Sequence, residues 1–328
     1  MQRRWVRKFL LLIGVIFMAV GLNYFSDKDA SLHVQEGPIP VQGGELWFQI
    51  HSTKKTENKP PLLILHGGPG IPHNYLKSLS ALGTDRPVIF YDQLGCGRSH
   101  VTEKNAHSWQ LSDYVRDLEA LVEHLGLKHF ILFGHSFGGA LATEYASKNS
   151  DKIIGLVLAS PLLNTKLWIQ DTKRLLKQLP QDVQEKILYH EQQGTTDSHD
   201  YQEASKAFNA TFLCRLNPLP QDVKDALNAI NFDIYKTMWG PSEFTVTGHL
   251  KDFDGIDHLC HLNIPILLTC GRFDEATPET LERIGEKLQK SQLVIFEKSA
   301  HLPHVEEPEL YLQALKHFFQ TLESSMDK

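Results

Sequence analysis

Gly134-His135-Ser136-Phe137-Gly138 constrains this chain more than any other stretch. It follows an apolar run, Phe130 to Phe133, and leads into a helix-like segment, Ala140 to Lys148. That context is strand, sharp turn, helix. A serine at the apex of such a turn sits in a strained, exposed position from which its hydroxyl can act as a nucleophile. The flanking glycines fit because strand and helix approach too closely there for side chains. Gly and Ser are common, so the pentapeptide alone would also suit an ordinary glycine-rich turn. The elements around it give it weight.

Partners for that hydroxyl occur downstream. Gly271-Arg272-Phe273-Asp274 follows the apolar run Pro265 to Cys270, and Ser299-Ala300-His301 follows Leu293 to Phe296. The order Ser136, Asp274, His301 places the acid and the base each just past a strand end. Serine hydrolases of the α/β type use this order, unlike the chymotrypsin and subtilisin folds. A serine hydroxyl is a poor nucleophile until an imidazole takes its proton, and the carboxylate fixes that imidazole's tautomer. Each residue alone means little, since Asp274 suits a turn and His301 is one of 17 histidines. His304 is the competing base, three residues further past the strand end.

Acyl transfer also needs backbone N–H donors aimed at a developing oxyanion. His66-Gly67-Gly68-Pro69-Gly70 follows the apolar run Leu62 to Leu65. One donor is expected from Phe137, the residue after the nucleophile, and the second from this glycine loop. Pro69 has no N–H, which points to Gly68.

Short, continuously apolar runs alternate with helical patterns, as in strands buried on both faces of a parallel sheet. Strands are expected at Leu32–Glu36, Glu45–His51, Leu62–Leu65, Val88–Tyr91, Phe130–Phe133 and Ile153–Leu158. Helices are expected at about His73–Leu82, Leu111–Leu125 and Phe137–Asn149. The pattern resumes near Pro265, Leu281–Leu288, Leu293 and Glu309–Leu322. Between Leu162 and about Asp254 it turns helix-rich, with Pro180-Gln181-Asp182-Val183 and Pro220-Gln221-Asp222-Val223 as helix starts. The expectation is an α/β-hydrolase fold. A mostly parallel central sheet has helices on both faces, the core spans 26–161 and 256–328, and a helical cap is inserted at 162–255. A cap excludes water and shapes the acyl pocket. Trp239, Phe244, Tyr235 and Phe137 suit an apolar pocket there, and each also suits plain cap packing.

The 328 residues, 41% apolar and 22% charged, are enough for a large globular body. Arg3, Arg4, Arg7 and Lys8 precede an uncharged run from Phe9 to Phe25. Residues 1–25 therefore read as a secretory signal peptide, with Ala19-Val20-Gly21 near a cut, or as an uncleaved N-terminal membrane anchor. Either places the body outside the cytoplasm, periplasmic or secreted, with membrane contact only through an uncleaved segment. Beyond those residues, 29 basic side chains face 39 acidic ones, which disfavours nucleic acid as a partner. Of the four cysteines, Cys214 and Cys260 could pair, although spacing does not settle it. His258 and His261 beside Cys260 suit polar surface better than a metal site, and no metal or other cofactor is expected.

The set of motifs resembles the proline iminopeptidase family of α/β-hydrolases, which includes related L-amino-acid amidases. The matching pieces are His66–Gly70, Tyr91-Asp92-Gln93-Leu94-Gly95-Cys96-Gly97-Arg98-Ser99 and the turn at Ser136. Further pieces are Gly240-Pro241-Ser242-Glu243-Phe244-Thr245-Val246-Thr247-Gly248, Gly271–Glu275, and His301-Leu302-Pro303-His304-Val305-Glu306-Glu307-Pro308. The resemblance covers roughly Leu32 to the C-terminus. It implies Ser136, Asp274 and His301 as triad, Gly68 and Phe137 as oxyanion donors, and Glu243 and Glu275 as carboxylates that bind a substrate α-amino group. Two acids facing an ammonium would fix the distance from chain end to scissile carbonyl and enforce release of one residue at a time. The bland alternative is two solvated surface acids. The implied activity is release of an N-terminal residue, proline first, from a peptide or amino-acid amide with a free N-terminus. An esterase or amidase indifferent to the amine, or a non-catalytic ligand receptor on the same body, are the alternatives. Export departs from what the family suggests.

Overall fold

The computed structural model describes residues 31–103 and 106–326. Nine strands form one sheet: β1 His33–Val41, β2 Gly44–Ser52, β3 Leu62–Leu65, β4 Val88–Asp92, β5 His100–Val101, β6 Phe130–His135, β7 Ile153–Ala159, β8 Ile266–Gly271 and β9 Ser291–Phe296. Their order is β1-β2-β4-β3-β6-β7-β8-β9, with β5 paired to β2. β2 runs antiparallel to β1, β4 and β5 at one edge, and β4-β3-β6-β7-β8-β9 pair in parallel.

The apolar runs are continuous because both sheet faces are covered. Leu63, Leu65, Ile89, Leu132, Leu156 and Leu158 pack into one core cluster. Their neighbours Leu62, Ile64, Val88, Ile131, Phe133 and Val157 pack into another. Adjacent residues on a strand point to opposite faces, so each strand feeds both cores. Helices α1 Leu111–His124 and α2 Phe137–Asn149 supply buried side chains to the first. The 3-10 segment His73–Thr84 and the C-terminal helix Pro308–Met326 cover the second.

Six helices lie between β7 and β8: α3 Thr165–Leu176, α4 Gln181–Gln193, α5 His199–Phe212, α6 Gln221–Asn228, α7 Phe232–Met238 and the short α8 Ile256–Cys260. Pro180 and Pro220 stand at the N-caps of α4 and α6. Proline is tolerated there because the N–H it lacks would have no helical partner. Leu175, Leu176, Ile187, Tyr201, Phe208 and Phe212 give this layer its own small core.

Some boundaries differ from the sequence reading. β1 runs on to Val41, because Pro38 and Pro40 lie in an edge strand where missing donors cost little. The two-residue β5 carries no periodic signal. Cys214 and Cys260 are free thiols, so the possible bridge between them is not made. His258 pairs with Glu144 at 3.1 Å and His261 Nδ1 lies 2.6 Å from the Asp257 carbonyl oxygen. Among the described residues no cluster of His, Cys, Asp and Glu suits a metal ion, and no helix is long and apolar enough to cross a membrane. Residues 1–25, where the sequence places a signal peptide or anchor, lie outside the described residues.

Candidate active site

The turn after β6 is built on strain that glycine permits. Ser136 has φ 55° and ψ −123°, in the left-handed region. A non-glycine residue held there costs roughly 1–3 kcal/mol. The surroundings fix it: Ser136 N donates to the Ala159 carbonyl at 3.0 Å, and its own carbonyl accepts from Gly139 N at 2.8 Å and Leu162 N at 3.0 Å. A Cβ on Gly134 would fall 2.2 Å from the Gly138 carbonyl oxygen, and one on Gly138 would fall 2.3 Å from that of Leu65. Strand, helix and the β3 end therefore close on each other only with glycine at both places.

Asp274, past the end of β8, is buried. Its oxygens accept from Ala276 N at 2.8 Å and Gly271 N at 3.2 Å, and Oδ1 lies 2.7 Å from His301 Nδ1. His301, past the end of β9, thus presents Nε2 toward the cavity that Ser136 also lines. No described hydrogen bond joins Ser136 Oγ to that nitrogen; catalytic contacts of this kind commonly tighten only around substrate. His304, the competing base, instead turns its Nε2–H to the Tyr75 carbonyl at 3.1 Å, and burial pushes its pKa down to about 3.

In the glycine loop after β3, Gly67 N–H donates to Tyr75 Oη at 2.7 Å and is spent. Pro69 has none. Gly68, at φ 111°, lines the cavity beside Phe137, the first residue of α2. Two further residues tie this loop to the rest. His135 Nε2–H donates to the His301 carbonyl at 2.9 Å, so its Nδ1 accepts from Tyr75 O–H at 3.0 Å. Burial, with His301 and His304 close by, holds the His135 pKa well below the usual histidine range, which keeps it neutral and this polarity fixed. A chain of three hydrogen bonds thus links the glycine loop, the serine turn and the imidazole backbone. The segment after β4 braces the same loop: Gln93 N donates to His66 Nε2 at 2.8 Å and Gln93 Nε2 to the His66 carbonyl at 2.8 Å. Asp92 accepts from Arg98 N at 2.9 Å and binds His73 Nδ1 at 2.8 Å.

The two glutamates meet in the same cavity. Glu275 follows Asp274 and is buried, and its Oε1 lies 3.7 Å from His301 Nε2. Glu243, in the loop after α7, accepts from Trp168 Nε1–H at 2.7 Å and from Tyr235 O–H at 3.2 Å. Burial raises both carboxyls above the usual glutamate range. For Glu275 the rise is large, and the neighbouring charges of Glu243 and Asp274 add to it. Trp168 and Tyr75 carry no motif signal, and His135 lay inside the serine pentapeptide without a distinguishing pattern. The cavity, about 660 Å³, is also lined by Phe137, Tyr235, Trp239 and Phe244, as the sequence suggested.

A serine on a strained strand-to-helix turn, a glycine loop beside it, and an acid–imidazole pair at the C-terminal ends of parallel strands define an α/β-hydrolase. A family model described as alpha/beta hydrolase fold matches residues 60–308. The chain is 44% identical over 290 residues to a proline iminopeptidase of Heyndrickxia coagulans, covering 88% of this chain and 99% of the relative. It is 34% identical to a proline iminopeptidase of Saccharolobus solfataricus, over 92% of this chain and 97% of that one. The crystal structure of a proline iminopeptidase from Mycobacterium smegmatis superposes with a TM-score of 0.82 at 31% identity, over 89% of this chain and 100% of that one. The chain belongs to the alpha/beta hydrolases and, within them, to the proline iminopeptidase family.

Proposed function

We propose that this protein is a serine aminopeptidase that releases the N-terminal residue, proline foremost, from peptides and amino-acid amides through an acyl-enzyme. Ser136 Oγ attacks the carbonyl carbon while His301 Nε2 takes its proton. Asp274 holds the other ring nitrogen and stabilises the imidazolium. The Gly68 and Phe137 N–H groups receive the oxyanion. As the C–N bond breaks, His301 passes the proton to the leaving amine. A water, deprotonated by the same imidazole, then frees the aminoacyl group from Ser136. No cofactor enters. The proline preference is supported by the relatives' names and by uncharged, mostly aromatic lining beside the two acids.

The observation that carries the reading is two carboxylates, Glu243 from the helical layer and Glu275 from the body, facing one cavity with Ser136 and His301. Two acids facing one cavity without a cation, Glu275 buried and Glu243 half-buried, oppose each other's ionisation, and an ammonium between them removes that opposition. On this reading residues 26–161 and 256–328 form the body, and 162–255 a cap that supplies one acid. Residues 1–25 are proposed to export or anchor the protein, on the strength of a basic start before an uncharged run.

The test compares L-prolyl-4-nitroanilide with a simple 4-nitrophenyl ester in Glu243→Gln and Glu275→Gln. A selective loss on the anilide is expected, and equal losses on both substrates reject the ammonium role. Ser136→Ala should abolish both turnovers and fluorophosphonate labelling while leaving the fold intact.

A further inference from the structure

The cavity has two unlike ends. Glu243, Glu275, Trp168 and Tyr235 make one. Away from the acids the cavity is lined by Ile71, Leu213, Val223, Ala226, Leu227 and Leu302, with Asn209 and Asn228 as uncharged polar neighbours. Ile71 lies just past the glycine loop and Leu302 just past His301. Leu213 offers its carbonyl to His301 N at 3.1 Å. Ile71, Val223, Ala226, Leu227 and Leu302 belong to the core cluster on the second sheet face. A solvent-exposed ion pair, Lys77–Asp222 at 3.3 Å, joins the start of α6 to the 3-10 segment. The ionisable residues lining the cavity, among those with acid or base side chains, are Glu243, Glu275, His135 and His301; no lysine, arginine or aspartate lines it among the described residues. At about 660 Å³ the space takes a ligand well beyond a single amino acid.

An N-terminal residue whose ammonium sits at the glutamates and whose carbonyl sits at Ser136 sends its leaving amine away from those glutamates. The lining that adjoins the glycine loop and His301 in sequence or by hydrogen bond, Ile71, Leu302 and Leu213, is apolar. We propose that this lining is the leaving-group subsite, and that it selects substrates whose second residue carries an uncharged, apolar side chain. The inference rests on the aminopeptidase reading above. A leucine there gains by shedding water against Val223, Leu227 and Leu302. A lysine or aspartate would lose hydration and meet no counter-charge.

The experiment measures kcat/KM for Pro-Leu-NH2, Pro-Lys-NH2 and Pro-Asp-NH2, with L-prolyl-4-nitroanilide alongside. Amides keep a terminal carboxylate out of the comparison. Leucine should exceed both charged residues by about tenfold or more. Leu227→Glu, on the half-buried face of α6, should shift the lysine-to-leucine ratio toward lysine by about tenfold and the aspartate-to-leucine ratio the other way. Equal rates across the three amides with the anilide still cleaved would overturn the subsite while leaving the aminopeptidase reading standing. Failure to cleave the anilide would remove that reading and the subsite with it. Unchanged ratios in a folded Leu227→Glu, checked by circular dichroism, would also overturn it, and the wild-type panel decides the matter should that variant not fold.

Discussion

Trp168 shows how much of the site depends on a residue with no motif around it. Its indole N–H is a 2.7 Å donor to Glu243, and its ring stands edge-on to His301 with centroids 5.8 Å apart. A hydrogen bond to a charged acceptor contributes about 1.5–3 kcal/mol. Trp168→Phe should therefore raise KM for prolyl-4-nitroanilide by about tenfold or more, with turnover of a nitrophenyl ester changing far less; steady-state kinetics on both substrates check this. Tyr75 acts through others. Tyr75→Phe leaves the Gly67 N–H and the His135 ring without their partner, at a cost of roughly 1–3 kcal/mol. Its expected signature is a fall in kcat of about tenfold at nearly constant KM, together with a lower unfolding midpoint. Ser136, Asp274 and His301 were legible because their chemistry demands fixed types at strand ends. Trp168 and Tyr75 were not, because an aromatic in a helix reads as core until a partner from a distant segment is seen.

At the scale of elements, the turn at Ser136 is the costly part. Its backbone at φ 55° suits glycine, so Ser136→Gly should be more stable than Ser136→Ala by about 1 kcal/mol, the reverse of their usual order. Urea unfolding of the two inactive variants measures this directly, and an Ala variant at least as stable would contradict the strain. The strands buried on both faces could be read nearly to the residue, since β3 spans Leu62–Leu65 and β4 starts at Val88. Period alone cannot mark an edge strand that carries Pro38 and Pro40, nor a pair as short as His100–Val101. The stretch between β7 and β8 was legible as helix-rich, and two of its helices were marked by the prolines at their starts, Pro180 and Pro220. The pocket beneath them was expected too; which of their side chains would meet there was legible only in part, because Trp168, Tyr201 and Val223 converge on it from α3, α5 and α6 with no motif to mark them.

For the whole molecule, the buried acids couple substrate binding to stability. Glu275 has a folded-state pKa well above its ordinary value near 4.5, chiefly from burial. Below that ordinary value it is neutral in both folded and unfolded chains. Between that value and the raised folded pKa the unfolded chain ionises while the folded one holds its proton, so stability falls as pH rises across that window and levels off above the folded pKa. Glu275→Gln should unfold at a higher temperature than the parent at alkaline pH, and the difference should vanish near pH 4.5. Differential scanning calorimetry across pH checks the sign. In the inactive Ser136→Ala background, a cationic ligand such as L-prolinamide should stabilise the protein more than it does when Glu275→Gln is added.

The claim beneath all of this is that a reactive serine and a niche for a cationic chain end share one cavity. The most direct measurement compares kcat/KM for L-prolyl-4-nitroanilide with that for its N-acetyl derivative on the unmodified protein. A ratio of about a hundredfold or more in favour of the free amine is predicted. Equal rates would show a hydrolase indifferent to the amine and contradict the account.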